Sequence, residues 1–184
     1  MKFKISSIKY LTNIIITFLL FISILYYSYI FKLGYLKIAT YLLFFLIALL
    51  ALINAAKAKN SKVFWLVLFI IFLFALLDKY FKMHIKLSRY FVGIANIDPV
   101  VLVNILYITG FIIVMSFFYR FFLREYKRNP DWLYLFTFAV ILKIVAISTD
   151  FEYHNITEDY FEVFSLYFFA AAFFIPVITR RKNK

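Results

Sequence analysis

The sequence predicts an all-α fold: a polytopic bundle of six transmembrane helices, with an amphipathic interfacial helix after the third. Of its 184 residues, 66% are hydrophobic and 16% are charged, and the mean hydropathy is +0.92. Soluble domains are nearer half apolar and a quarter charged. Apolar stretches recur six times, most of them close to the ~20 residues that cross a ~30 Å hydrocarbon core. Because lipid offers no partner to open backbone groups, each stretch is predicted to be helical.

The predicted spans are so closely spaced that we expect one domain, residues 1–184, with no separate soluble part. The spans lie at about 10–31, 36–56, 63–81, 99–119, 132–150 and 160–178. The first follows three lysines and begins like a secretory signal. Its apolar region is too long for one, however, and no small-residue cleavage site follows, so we interpret it as an uncleaved membrane anchor.

Helix-start signals place the boundaries of the later spans. Asp98 is a candidate N-cap, with Pro99 at the first position of the fourth span. Asp131 and Thr157 are the candidate caps of the fifth and sixth spans. Pro176 is expected to bend or end the sixth span.

Helix packing is expected to depend on alanine, because the chain contains only three glycines. The candidate close-approach residues are Ala48, Ala51 and Ala55 in the second span and Ala170, Ala171 and Ala172 in the sixth. Trp132, at the start of the fifth span, is expected at the membrane–water interface.

The basic residues predict a topology. Most of the 21 Lys and Arg residues fall at the two termini and in the second and fourth connections, beside apolar runs. The positive-inside rule therefore predicts a protein of the cell membrane with both termini in the cytoplasm, and an even number of spans agrees. The net charge of +12 is accordingly assigned to topology and to anionic lipids, with no nucleic-acid partner expected. The absence of cysteine excludes disulfides and thiolate metal sites.

On that topology, both histidines and seven of the nine carboxylates lie at the outer face, after the third and fifth spans. Carboxylates and imidazoles are common ligands of divalent ions and common general acids and bases. The candidate metal or cation ligands are Asp78, His84, Asp150, His154, Glu158 and Glu162.

Spacing refines this candidate set. Glu158 and Glu162 are four residues apart and share one helical face. Asp78 and His84 are six apart, so one ion could bind both only if the helix breaks between them. Simpler roles remain open: Asp78 can pair with Lys82, Glu158 can stabilise a helix N-terminus, and His154 can be a solvated loop residue.

A basic stripe follows the third span. Lys79, Lys82, Lys86 and Arg89 recur at spacings of three, four and three residues, which predicts an amphipathic helix lying among lipid headgroups. Binding of anionic lipid is the expected role. A sharper hypothesis is that these cations hold a phosphate-bearing lipid beside the carboxylates.

Lys143 lies about halfway along the fifth predicted span, where a lysine costs about 2.5–3.5 kcal/mol on insertion scales. It can snorkel, or it can pair with a carboxylate such as Asp150, which lies seven residues later on the same helical stripe. A functional role and a structural pairing role both remain open.

Two segments resemble a family of small, uncharacterised prokaryotic multi-pass membrane proteins: LDKYFKMHI (77–85) and EDYFE (158–162). That family has an acidic pair, a spacer and His-Glu at the end of one span, and a Glu-Glu-x-x-Glu entry to a later span. Asp78, His84, Glu158, Asp159 and Glu162 match, whereas Lys79 and Ile85 stand where the family has carboxylates. The resemblance implies that these residues belong to one site.

The chain lacks a Walker loop, HExxH, GxSxG and the nucleotide-binding glycine pattern. The leading hypothesis is a membrane protein of binding or accessory type, whose outer-face cluster binds a cation, a membrane protein partner or a second copy. A metal-dependent enzyme acting on lipid-linked or phosphate-bearing substrates is the alternative, and a small ion-coupled transporter using Lys143 and Asp150 is a third. Whether the protein is an enzyme stays open.

Overall fold

The computed structural model describes residues 35–58, 61–92, 99–128, 130–150 and 156–179. Within these ranges the chain is helical throughout apart from short turns, which confirms the all-α prediction. The predicted first span, 10–31, lies outside the described residues, as do Asp98 and His154.

The described helices are numbered here in chain order. They are α1 (Tyr35–Lys57), α2 (Lys62–Phe81), α3 (Met83–Ser88), α4 (Pro99–Phe117), α5 (Tyr119–Arg128), α6 (Pro130–Asp150) and α7 (Ile156–Thr179), with a 3₁₀ turn at Arg89–Phe91 after α3.

Five of the described helices are long and apolar enough to cross a membrane, which indicates a multi-pass membrane protein. Their apolar segments are Leu36–Lys57, Lys62–Phe81, Pro99–Phe117, Pro130–Ile147 and Asp159–Val177. These agree with the second to sixth predicted spans to within a few residues. Pro99 opens α4 as predicted, and α7 begins at Ile156, one residue before the predicted Thr157 cap.

Four of the long helices form the bundle. Helix α7 packs between α6 and α1, and α1 packs against α2. Helix α4 lies beside them and is mostly exposed, with Val103 and Met115 as its buried residues. Helix α7 runs antiparallel to α2, because the end of α2 meets the start of α7 at Lys79 and Glu162.

The core is aromatic at one end of the bundle, which is called the aromatic end here. The Phe64 and Phe121 rings stack with their centroids 3.9 Å apart, and both contact Trp132 edge-on. Other members are Trp65, Phe122, Phe136, Phe169 and Phe173. The side chain of Trp132, which is predicted to lie at the membrane–water interface, is fully buried within the bundle. Such ring pairs add about 0.5–1.5 kcal/mol each beyond the area they bury.

The alanines predicted at close helix contacts are buried. Ala48, Ala51 and Ala55 lie on the inner side of α1, and Ala170 and Ala172 lie on that of α7, while Ala171 is half-buried. A methyl side chain lets two helix backbones approach closely, so the prediction of alanine-mediated packing is confirmed.

A buried amide joins α1 to α7 beside Pro176. Asn54 is fully buried, and its Nδ2 donates to the Leu50 carbonyl at 3.0 Å and to the Phe173 carbonyl at 2.8 Å. Pro176 does not end α7, which continues to Thr179. Proline has no N–H to donate to the carbonyl of the preceding helical turn. In membrane proteins, neighbouring helices commonly supply a donor to such a carbonyl. The carbonyl that Pro176 leaves without its helical donor is that of Ala172, next to the Phe173 carbonyl to which Asn54 donates.

The predicted amphipathic helix after the third span is interrupted. Lys79 belongs to α2, Lys82 has a left-handed backbone (φ 52°, ψ 45°) that ends α2, and Lys86 belongs to the short α3. The four basic residues therefore do not lie on one continuous helix. The physical reason is that Asp78 accepts the His84 N–H, which redirects the chain at Lys82.

Candidate functional site

Six polar side chains of the described residues gather at the other end of the bundle, called the polar end here. Its members are Asp78, Lys79, His84, Tyr107, Lys143 and Glu162. From Trp65 at the aromatic end to Lys79 the α2 helix rises ~21 Å, so the two ends are separated by most of a hydrocarbon core.

Glu162 joins three helices. Its Oε2 accepts from the Lys79 ammonium of α2, and its Oε1 accepts from the Lys143 ammonium of α6, each at 2.5 Å. The Glu162 side chain is 5% exposed, against 29% for Lys79 and 34% for Lys143. A single buried carboxylate on α7 is thus held by two lysines that each reach water or headgroups.

This geometry explains how the protein tolerates charge within its apolar segments. An isolated carboxylate in a low-dielectric interior is strongly disfavoured, and pairing it with ammonium groups offsets the lost hydration. Two lysine charges facing one carboxylate leave the triad with a net positive charge. Glu162 was a candidate cation ligand, but both of its oxygens are already occupied by ammonium groups.

Lys143 has a different partner from the one we expected from spacing. It lies in the last two turns of α6 and binds Glu162 across the α6–α7 interface. Asp150 is the last residue of α6, and its side chain lies outside the described part of the structure. One turn beyond Glu162, Ser165 Oγ donates to the Ala139 carbonyl at 2.9 Å, so α6 and α7 are also joined by a buried hydrogen bond.

Asp78 and His84 are brought together by the break at Lys82. The His84 backbone N–H donates to Asp78 Oδ1 at 2.6 Å, and the ring Nδ1 lies 2.8 Å from Oδ2. Asp78 is 9% exposed, and the Tyr107 hydroxyl of α4 lies 3.5 Å from its Oδ1. With a spacing of six residues, one ion could contact both side chains only if the helix broke between them, and the structure has such a break.

The carboxylate also defines the state of the ring. An ionised carboxylate is only an acceptor, so the hydrogen bond places a ring proton on Nδ1; in the neutral imidazole Nε2 is then the acceptor, a tautomer inferred from the hydrogen-bonding network. Carboxylate–histidine pairs of this kind orient and strengthen metal-binding and basic imidazoles. The His84 side chain is 23% exposed.

The other predicted ligands are only partly placed. Glu158 stands in the first turn of α7, but its side chain, like that of Asp150, is outside the description. Within the described ranges, no group of three or more His, Asp and Glu side chains lies close enough to hold a metal ion. The structure therefore pairs Asp78 with His84 and assigns Glu162 to the lysines.

The four residues predicted to bind lipid headgroups divide into two sets. Lys82, Lys86 and Arg89 are exposed at the polar end. Lys79 instead lies against Glu162, which removes it from the basic stripe.

Sequence reasoning missed three features. Lys79 was grouped with the exposed lysines by its spacing. Its partner Glu162 lies on another helix, so the sequence around Lys79 gave no sign of it. Asn54 was overlooked, although a lone amide in an apolar run signals a buried hydrogen bond. Helix α5 was treated as part of the fourth connection, although Arg120, Arg124 and Lys127 recur there at helical spacing.

The comparisons with known proteins concern nearly the whole chain. A family model described as a domain of unknown function, DUF8692, matches residues 15–176. The chain belongs to this family. The matched range includes every residue of the polar end and all of α5. No curated protein and no solved structure matches the chain.

Proposed function

We propose that this member of the family is a binding or accessory protein of the cell membrane, with both termini in the cytoplasm and the polar end facing the exterior. The distribution of Lys and Arg between the connections supports that orientation. The observation that carries the binding role is the Asp78–His84 pair, in which the carboxylate orients the ring through Nδ1 and leaves Nε2 to contact a ligand.

The polar end then has two separate parts. Lys79, Glu162 and Lys143 hold α2, α6 and α7 together, while His84 is the group that contacts the ligand. A divalent cation such as Zn²⁺ is the ligand that a carboxylate-supported imidazole fits best. His154 and Glu158 have the right donor chemistry to complete such a site. A membrane protein partner or a second copy is the other ligand class.

Zinc binding to the purified protein in detergent tests this proposal. We expect stoichiometric Zn²⁺ binding that is lost in His84→Gln and is about 10–100-fold weaker in Asp78→Ala, because the ring loses its supporting carboxylate. Asp131→Asn, a carboxylate change in the first turn of α6 at the aromatic end, is the control. Absence of zinc binding would reject the cation role. The accessory role predicts a partner that copurifies with the wild type and is lost in His84→Gln, and absence of such a partner would reject that role too.

A metal-dependent enzyme acting on a phosphate-bearing lipid is the second candidate. The observation that favours it is the exposed pair Lys86 and Arg89, close to His84 in the sequence and suited to hold a phosphate group. In that case His84→Gln should abolish turnover of such a lipid, whereas Lys86→Gln with Arg89→Gln should raise KM and leave kcat largely unchanged.

Ion-coupled transport would have to involve Lys143, whose partner is Glu162. Lys143→Met should then abolish coupled flux in proteoliposomes. Unchanged flux would refute a relay through this residue.

A further inference from the structure

We infer that α5, at the aromatic end, forms a binding site for the headgroups of anionic phospholipids. The site consists of Arg120, Arg124 and Lys127, called the α5 basic face here. This inference is independent of the proposed role of His84, because the two regions lie at opposite ends of the bundle.

The position of α5 places it at the membrane boundary. It begins directly after the apolar segment of α4 ends at Phe117, and it ends directly before α6 begins at Pro130. Both neighbouring segments are long enough to span a membrane. A ten-residue helix between two spans lies where hydrocarbon gives way to headgroups.

One side of α5 is fixed to the bundle core. Phe121 is 5% exposed, stacks on Phe64 and contacts Trp65 and Trp132 edge-on. Phe122 stacks against Trp132 with the ring centroids 5.9 Å apart. Because these rings belong to α2 and α6, the orientation of α5 is set by tertiary packing.

A neighbouring side of α5 is basic and exposed. Arg120, Arg124 and Lys127 recur at spacings of four and three, so they share one face about 100° from Phe121. Two guanidinium groups are held against rings: Arg120 lies 5.7 Å from the Tyr119 ring centroid and Arg124 lies 5.9 Å from that of Phe121. Arginines ordered in this way lose less rotamer entropy when they bind a phosphate oxygen.

Lipid is the ligand favoured over a soluble anion, because the basic face adjoins exposed apolar side chains. Leu123 is 59% exposed and Phe117 is 79% exposed, and such groups fit acyl chains rather than water. The positive-inside rule assigns this end to the cytoplasmic leaflet, where anionic headgroups attract basic juxtamembrane segments.

Tryptophan quenching in nanodiscs tests the inference. The two tryptophans of the chain, Trp65 and Trp132, both contact Phe121, so their fluorescence reports on this end alone. Nanodiscs would carry phosphatidylglycerol or phosphatidylcholine with a spin label near the headgroup, at equal mole fraction. We expect stronger quenching by the anionic lipid in wild type. The association constant of the anionic lipid relative to the neutral one, obtained from the excess quenching, should fall about fivefold for each charge removed, so the excess should be largely lost in the variant R120Q/R124Q/K127Q.

Two further variants keep the result interpretable. K82Q/K86Q/R89Q removes the same number of charges at the polar end and should leave the excess quenching unchanged. R120K/R124K retains the charges and should retain most of it, which also controls for misfolding of the neutralised variant. Equal quenching by both lipids in wild type, or an excess that survives neutralisation of α5, would overturn the inference. Displacement of the anionic lipid by millimolar inorganic phosphate, but not by chloride of equal ionic strength, would assign the site to a soluble anion and overturn it too.

Discussion

Asp78 and Lys79 are adjacent in the sequence, yet they bind residues of different helices. Asp78 holds the His84 ring of α3 at 2.8 Å, whereas Lys79 donates to Glu162 of α7 at 2.5 Å. Consecutive helical side chains point about 100° apart, so the last turn of α2 can contact both α3 and α7. A substitution at one position should therefore change one part of the polar end and leave the other intact, which makes the two parts separable by experiment.

Glu162→Gln should destabilise the bundle more than any other change of a single charge at the polar end. It leaves Lys79 and Lys143 without their carboxylate, and removing one member of a buried pair costs about 3–5 kcal/mol. We expect about 3 kcal/mol, the lower bound, because both lysine side chains are partly exposed. Unfolding by a denaturing detergent, followed by tryptophan fluorescence, measures the change.

The control for this variant is Asp159→Asn, three residues away on the same helix and half-buried. A change within about 0.5 kcal/mol is expected there, as at ordinary surface positions. Equal effects of the two variants would show that Glu162 has no special role in stability.

Asp78→Ala should change the tautomer of His84. Without the carboxylate, nothing holds the ring proton on Nδ1, and the Nε2–H form that predominates in free imidazole side chains should become populated. Nitrogen-15 chemical shifts of the ring, measured in a His154→Gln background that leaves one histidine, distinguish the two forms. Tyr107→Phe should leave the tautomer unchanged, since its hydroxyl is 3.5 Å from the carboxylate. A wild-type ring already protonated on Nε2 would contradict the assignment.

Lys82→Gly should stabilise the protein. Lys82 has φ 52°, a conformation that costs an L-residue about 1–2 kcal/mol and glycine almost nothing. Glycine also loses more entropy on folding, so a net gain of about 0.5–1 kcal/mol is expected. Lys82→Val should be destabilising, because a β-branched residue fits this region poorly. Thermal unfolding of the two variants beside wild type decides the sign, and a destabilised glycine variant would refute the left-handed break.

Asn54→Val should weaken the contact between α1 and α7. It removes the Nδ2 donor to the Phe173 carbonyl, and interhelical hydrogen bonds in membrane proteins contribute about 0.6 kcal/mol on average, up to about 1.7. We expect the upper part of that range, because the amide is fully buried. Thr40→Val is the matched control on α1: its hydroxyl donates to Leu36 within the same helix. Similar losses in both variants would argue against a special interhelical role for Asn54.

The sequence predicted the helices well because a bilayer imposes a simple rule on apolar length. The second to sixth spans were placed within a few residues, and Pro99 opened α4 as expected. The buried alanines were also predictable, since small residues in membrane helices are enriched where two helices pack closely.

The pairing of charges was not predictable, because it depends on which helices are neighbours. Periodicity within one helix offered Asp150 as one possible partner of Lys143, whereas the carboxylate that Lys143 contacts in the structure, Glu162, comes from α7. Lys79 was placed on a stripe that the turn at Lys82 interrupts. The packing of α5 on the core was likewise not predictable, since Phe121 stacks on Phe64, which is distant in the sequence.

The most direct test of the central claim, that Glu162 is the shared partner of Lys79 and Lys143, is a pair of double-mutant cycles. One combines Lys79→Met with Glu162→Gln, and the other combines Lys143→Met with Glu162→Gln. Residues in contact show coupling energies of about 0.5–3 kcal/mol, and we expect at least about 1 kcal/mol in each cycle. A third cycle, Lys79→Met with Asp159→Asn, should give a coupling near zero. Coupling near zero in either Glu162 cycle would contradict the account.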